Sequence, residues 1–195
     1  MLDRLYNLST SKLFIAVFVV LVLYLMFVMS PASPVGAVLQ KDIPKDVKIM
    51  DLRQTYSPAE AYGVLDKLGG AGRSAYLRNL MTIDVALPLL YSSAFSVLIA
   101  FLLKKTGTRN KMIRWIALVP LVNGAFDLAE NAAVSLMILN YPKQIDLLAM
   151  NAAFFTMAKW SLMNAVYYIV LAEFAWLTFN SLKDMIDRKK VRANK

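Results

Sequence analysis

Residues 112–139, MIRWIALVPLVNGAFDLAENAAVSLMIL, are long and apolar enough to cross a bilayer. Four polar side chains nevertheless lie near the middle of this stretch, Asn123, Asp127, Glu130 and Asn131. At about 100° per residue, they fall within a single sector of a helix. The sequence therefore predicts a membrane helix with one polar stripe.

A second feature of this helix is a row of alanines at every fourth residue, Ala125, Ala129 and Ala133. Small residues at this spacing are typical of closely packed membrane helices. A helix with a polar stripe and a small-residue stripe has little surface left for lipid. We therefore expect it to lie at the centre of a helical bundle.

The composition indicates a membrane protein rather than a soluble domain. Hydrophobic residues make up 58% of the 195 positions, whereas Gly and Pro number only seven each. The chain has no Cys and no His, which excludes disulfides and removes the commonest metal ligands and the commonest general base. No phosphate-binding loop, nucleophile elbow or zinc-protease motif is present. We expect no cofactor and no metal, and we assign no catalytic residue.

Hydropathy predicts one polytopic, all-α domain over residues 1–195, a bundle of four transmembrane helices. The predicted spans are residues 13–29, 82–103, 112–139 and 147–182, with a polar region over 30–80 and a polar tail over 183–195. The first apolar run could instead be a signal peptide, since small residues follow it. It is longer than the usual signal core of about 7–15 residues, so we favour a retained helix.

The 30–80 region is expected to carry one or two short amphipathic helices outside the membrane. Ser57, Pro58 and Glu60 form a capping-box pattern, and Gly69–Gly70 supplies a stop signal. A further helix should begin near residue 71 and run straight into the second span. Residues 46–56, DVKIMDLRQTY, could form a short strand or an extended loop.

The positive charge is distributed as a topology signal. The first twelve residues, the 104–114 loop and the tail hold thirteen Lys or Arg, whereas the 30–80 region and the 140–146 turn hold eight. Basic loops stay cytoplasmic, so both termini should be inside and residues 30–80 outside. The net charge of +9 then requires no nucleic acid. In topology the chain resembles small four-span proteins of bacterial membranes, which implies the inner membrane.

The depths of the intramembrane charges can be compared from the helical rise of about 1.5 Å per residue. Asp127 lies thirteen residues after Arg114, and Lys159 lies thirteen residues after Asp146. In antiparallel helices these two groups reach a similar level. Each charge at the bilayer centre costs about 2.5–3.5 kcal/mol, so pairing or water must offset the cost.

Two interpretations of these charges remain open. The first is a ligand-binding polar pocket in the outer half of the bundle, and the second is a buried ion pair that only fixes helix register. Glu130 leaves one acid beyond simple pairing, which favours the pocket. Its predicted walls are Asp127, Glu130, Asn131, Lys159 and Asn123, extended by Asp84, Tyr91 and Asn164. Arg73 and Arg78 are candidates for binding a phosphate headgroup.

These residues lead to three functional hypotheses. The first is binding of a lipid-like or amphipathic small molecule, with an apolar tail along Phe95, Phe126 and Phe155. The second is an accessory or assembly subunit of a larger membrane complex that docks through the 30–80 region. The third is a lipid-modifying enzyme or a proton-coupled transporter that uses the buried carboxylates. Membrane lipids, a larger complex or a second copy of the chain are the expected partners.

Overall fold

The computed structural model describes residues 2–108 and 110–193, with side chains described through residue 188. This part of the chain is helical and contains no strand, so residues 46–56 form the loop alternative, with one 3-10 turn at Met50–Leu52. The helices in chain order are α1 (Leu2–Leu8), α2 (Ser11–Tyr24), α3 (Pro34–Gln40), α4 (Pro58–Met81), α5 (Ile83–Lys105), α6 (Lys111–Arg114), α7 (Val119–Asn140) and α8 (Asp146–Ala193).

Among the described residues, four helical stretches are long and apolar enough to cross a membrane, as predicted. They are Ser11–Met29, Pro58–Lys105, Lys111–Asn140 and Asp146–Arg188. The first includes a π-helical turn, Leu25–Met29, that continues α2. Large apolar side chains on α2 and α8, among them Phe18 and Tyr168, are exposed, as expected for a surface that faces acyl chains.

The segment between the first two spans begins its helices with the same local signal twice. At α4 the predicted capping box is present: Ser57 N–H donates to Glu60 Oε2 at 2.7 Å, and Glu60 N–H donates to Ser57 Oγ at 3.3 Å. At α3, Ser33 Oγ accepts from the N–H of Gly36 at 2.9 Å. Helix α3 was not located from the sequence, because Pro31 and Pro34 follow the apolar run so closely that they resemble its end.

The predicted stop at Gly69–Gly70 is confirmed: Gly69 has φ +63° and ψ −177°, a conformation that favours glycine, and its kink divides α4 into two helical arms. The path from α4 into α5 differs from the prediction at one point. The second arm of α4 does not run straight into the second span, because Thr82, with φ −125° and ψ −83°, separates α4 from α5. The first arm buries Tyr62, Leu65 and Leu68 in the core, so its apolar side packs on the bundle.

Helix α7 packs against α4, α5 and α8, but it shares the centre of the bundle with α5, which packs against α2, α4, α7 and α8. Two details of the predicted surface of α7 are wrong. Ala125 is exposed and Ala133 is buried, so the alanine row is not a single contact surface. Val122, Leu136 and Leu139 are also exposed, which leaves α7 an exposed apolar stripe.

Helix α8 is one continuous helix of 48 residues. It includes the predicted fourth span and also most of the segment predicted as a polar tail. The change of structure expected at residue 183 therefore does not occur, and the helix continues to Ala193. The side chains from residue 181 to Arg188 are exposed.

Candidate functional site

The centre of the site is a cation held between two carboxylates from the neighbouring helix. Lys159 Nζ on α8 lies 3.1 Å from Asp127 Oδ1 on α7, and it also forms an ion pair with Glu130 Oε2. The exposed fractions are 9% for Asp127, 0% for Glu130 and 8% for Lys159. The structure therefore brings together the ionisable groups that the depth argument placed at one level.

Hydroxyl groups donate to the two carboxylate oxygens that Lys159 does not contact. Tyr91 on α5 donates to Asp127 Oδ2 at 2.9 Å, and Thr156 donates to Glu130 Oε1 at 2.6 Å. Asn123 in turn donates to the Tyr91 oxygen at 3.4 Å. Because buried carboxylates are costly without donors, this network stabilises the acid that remains beyond simple pairing.

Asn131 has a structural task that follows from the position of Pro88 in α5. Proline has no N–H, so Pro88 cannot donate the usual helical bond to the carbonyl of Asp84, four residues earlier. Asn131 Nδ2 donates to that carbonyl from α7 at 2.8 Å. The polar stripe of α7 therefore satisfies a backbone group that the proline leaves free.

The approach of α5 to α7 depends on Gly124, which the sequence analysis did not select. A Cβ at Gly124 would lie 2.9 Å from the Cβ of Ser92 and 3.1 Å from the carbonyl oxygen of Pro88. Both distances are below ordinary van der Waals contact, so the helices meet where only glycine fits. This close contact lies one turn from Asp127 and holds Tyr91 within hydrogen-bonding distance of it.

A cavity of about 1080 Å³ lies beside this network. Side chains from α5, α7 and α8 form one side, and the end of the first span, α3 and the loop before α4 form the other. Its polar lining includes Asp84, Tyr91, Asp127, Asn131 and Lys159, and most of the remaining lining is apolar. Glu130 and Asn123 lie behind this wall and act on it through the hydrogen bonds described above.

The cavity wall also includes polar residues that were not predicted from the sequence, Gln40, Lys41, Lys45, Asp51 and Asn79. Tyr76 donates to Asp51 Oδ2 at 2.7 Å. Burial raises the pKa of Asp51, and the charge of Lys159 and the Tyr76 bond partly oppose this increase. Asp51 lies in a loop, and periodicity cannot predict which wall a loop residue reaches.

The remaining predicted site residues lie elsewhere. Asn164 is exposed and is not part of the cavity lining. Arg73 stacks on the Tyr141 ring, with its guanidinium carbon 3.9 Å from the ring centroid, whereas Arg78 donates to the carbonyl of Leu39 at 3.4 Å. The two arginines therefore contact different parts of the protein and do not form one paired site.

The apolar side chains predicted to hold a ligand tail also lie outside the cavity lining. Phe126 packs against Phe155, with ring centroids 6.1 Å apart, and Phe95 packs against Tyr167 at 5.9 Å. The cavity is lined instead by aliphatic side chains such as Leu87, by Met163 and by the aromatic Trp160. The predicted tail path is therefore wrong in its residues.

Within residues 2–108 and 110–193, no group of three or more acidic side chains is arranged to hold a metal ion. What the site offers chemically is a fixed set of charges and hydrogen-bonding groups at the wall of a largely apolar cavity. No known protein family, curated protein or solved structure matches the chain at a significant level.

Proposed function

We propose that this protein binds a lipid-like, amphipathic molecule in the cavity beside Asp127 and Lys159. One observation carries the proposal: a cavity of about 1080 Å³ combines a charged, hydrogen-bonded wall with a mainly aliphatic lining. Ligand pockets typically measure about 300–1,000 Å³ and place a few fixed polar groups in an apolar surface. This cavity fits a ligand with a polar head and a substantial apolar part.

The polar head lies against Asp84, Tyr91, Asp127, Asn131 and Lys159. The apolar part lies along the aliphatic lining. Glu130 and Asn123 hold the wall in place and do not touch the ligand. In this proposal the ion pairs serve the pocket as well as the register of α7 and α8, so the two interpretations of the charges are compatible.

The proposed setting is a bacterial inner membrane, with both termini cytoplasmic and the cavity at the outer end of the bundle. The distribution of Lys and Arg supports this orientation. The cavity wall includes residues from the 30–80 region, so the ligand enters from the outer leaflet or from the outer aqueous face.

The alternative of an accessory subunit that docks through the 30–80 region receives less support. Ile43, Val47 and Ile49 pack against the protein's own core, and all three also line the cavity. Apolar side chains used inside the molecule do not form a free docking surface. A lipid-modifying enzyme or transporter would need a ligand in the same cavity, so binding is the step to test first.

The experiment compares Leu87→Trp with Leu89→Trp. Leu87 lines the cavity, whereas Leu89 lies two residues away on α5, is 54% exposed and lies outside the lining. Both variants are purified in mild detergent, and bound lipid is measured by native mass spectrometry. Their thermal unfolding is recorded in parallel to show that both are folded.

We expect co-purifying lipid-like ligand on the wild type and on Leu89→Trp, and its loss from folded Leu87→Trp, because the indole fills the cavity. A ligand-free wild type, or equal ligand on both variants, would contradict the proposal.

A further inference from the structure

The cavity wall contains hydrogen-bond acceptors that have no donor within the described residues. Asn79 is 5% exposed, and its Nδ2 donates to the carbonyl of Leu39 at 3.3 Å, which leaves Oδ1 without a partner. Asp51 is bonded through Oδ2 to Tyr76, and its buried Oδ1 also has no partner. Both residues line the cavity. A buried acceptor without a donor is costly, so Asp51 Oδ1 and Asn79 Oδ1 point to a ligand that donates, and the unpartnered Trp160 Nε1 of the same lining adds one donor for an acceptor on the ligand.

The charge of the cavity wall also indicates which kind of ligand group binds there. Three carboxylates line the cavity, Asp51, Asp84 and Asp127, and Glu130 lies directly behind them. Lys159 is the only buried cation in the lining, and it is already shared between Asp127 and Glu130. Asp51 and Asp84 therefore face the cavity with no cation of their own among the described residues. A cationic group on the ligand would supply the missing charge.

The chemistry of the acceptors selects among cations. A primary ammonium group carries a positive charge and three N–H donors, whereas a quaternary ammonium group has no N–H. Proteins recognise quaternary ammonium with cages of aromatic rings. The acceptors of Asp51, Asn79 and Asp84 instead match a group that donates several hydrogen bonds.

We propose that the cavity selects a primary ammonium headgroup attached to an apolar chain, with the ammonium bound by Asp51, Asn79 and Asp84. This inference rests on the proposed function and names its ligand class. Two sources share the chemistry, an aminophospholipid of the membrane and a free long-chain amine. Lys41 and Lys45 are exposed members of the same lining, and they are placed to bind the phosphate that only the first source carries.

The first test uses wild-type protein in nanodiscs that contain equal amounts of phosphatidylethanolamine and phosphatidylcholine with identical acyl chains. These lipids differ only in the N-methyl groups that replace N–H donors. Bound lipid is measured by native mass spectrometry after release. We expect phosphatidylethanolamine to be preferred by at least about tenfold, the factor that one charge-assisted hydrogen bond provides.

The second test repeats the comparison with the double variant Asp51→Asn, Asp84→Asn. These substitutions keep the shape of the side chains and remove their charge, so the preference should fall to about twofold or less. The matched control is Asp46→Asn, an exposed acid of the same loop that lies outside the cavity lining. It should keep the full preference. If the double variant fails to fold, the wild-type comparison alone decides.

The source is distinguished by replacing the lipids with dodecylamine and dodecyltrimethylammonium. Tight binding of dodecylamine supports the free amine, whereas a preference seen only between the phospholipids supports the aminophospholipid. Equal binding of the methylated and unmethylated members of both pairs would overturn the ammonium proposal. If both lipids bind equally to the wild type but neither binds to Leu87→Trp, the ammonium proposal is wrong and the proposed lipid-binding function still holds. Binding that Leu87→Trp does not reduce would remove the cavity as the site altogether.

Discussion

The side-chain amide of Asn131 on α7 donates a hydrogen bond of 2.8 Å to the backbone carbonyl of Asp84 on α5. The bond is available because the residue four positions later, Pro88, has no N–H with which to close the helix. Asn131 of α7 thus satisfies a backbone carbonyl of α5, and Pro88 leaves that carbonyl free for the contact between the two helices.

This relationship predicts an energetic coupling between Asn131 and Pro88. Asn131→Ala leaves the carbonyl of Asp84 without a donor and should cost about 1–3 kcal/mol of unfolding free energy. In a Pro88→Ala background the new N–H closes the helical bond, so the same substitution should cost less. A double-mutant cycle on unfolding in detergent measures the difference, which should be about 0.5–3 kcal/mol. Equal costs in both backgrounds would exclude the coupling.

The close contact of α5 with α7 predicts that no side chain larger than that of glycine fits at Gly124. Gly124→Ala introduces a Cβ 2.9 Å from Ser92 and 3.1 Å from the Pro88 carbonyl, so the helices must separate, at about 1–3 kcal/mol. Gly63→Ala is the matched control, because a Cβ at this position of α4 meets no atom within 4 Å. It should be neutral or stabilising, since Ala favours helix. Thermal unfolding of the two variants in one detergent checks the prediction, which fails if both behave alike.

The ion pairs predict that replacing Lys159 destabilises the protein more than replacing Asp127. Lys159→Met leaves two buried carboxylates without their cation and should cost about 3–5 kcal/mol, if the protein folds at all. Asp127→Asn leaves Lys159 paired with Glu130 and removes the surplus acid, so its cost should be smaller. Lys105→Met, at an exposed lysine, serves as the control. The order of the three unfolding temperatures is the measurement, and a Lys159→Met variant as stable as Asp127→Asn would contradict the assignment.

Asp51 predicts a pH dependence of stability. Burial raises the pKa of Asp51 above its ordinary value of 3.8, so the folded protein binds the proton more tightly than the unfolded chain. The unfolding free energy should therefore fall as the pH rises above 3.8, until Asp51 is ionised in both states. In Asp51→Asn this contribution should be absent. The check is to compare the slopes of stability against pH in the two proteins. Parallel slopes would show that Asp51 titrates in the same way in both states.

The absence of cysteine from the sequence allows a direct test of orientation. Single substitutions Lys45→Cys and Lys105→Cys place the only thiol of the chain at opposite ends of the bundle, both at exposed positions. With residues 30–80 outside, a membrane-impermeant maleimide added to intact cells should label position 45 and leave position 105 unlabelled until the cells are opened. The reverse pattern would invert the proposed topology.

The regular parts of the fold could be predicted from local signals. Four apolar runs identify the spanning stretches, and Ser57, Pro58 and Glu60 identify the start of α4, because a capping box needs no distant partner. The helix ends were less predictable. The pair Ser33–Pro34 carries the same helix-start signal as Ser57–Pro58. It follows the first apolar run so closely, however, that Pro34 resembles the end of that run.

The candidate site could be predicted only where both partners lie on helices. Asp127 and Lys159 meet because depth along a helix is fixed by residue count. Asn164 follows Lys159 by five residues, about 140° around the helix, so its exposed position follows from periodicity as well. Predicting Asp51 required the path of the loop before α4, and predicting Asn79 required the direction of the second arm of α4 after Gly69; both are set by long-range packing. Gly124 could not be identified without knowing which residues of α5 lie opposite.

The continuity of α8 has a mechanical consequence for residues far from Lys159. With a rise of about 1.5 Å per residue, the 34 positions from Lys159 to Ala193 form a rigid rod of about 50 Å. A tilt of about 5° around Lys159 would displace the far end of that rod by about 4 Å. A rearrangement at the cavity wall that tilts α8 at Lys159 would therefore move the far end of the helix by more than it moves the lysine.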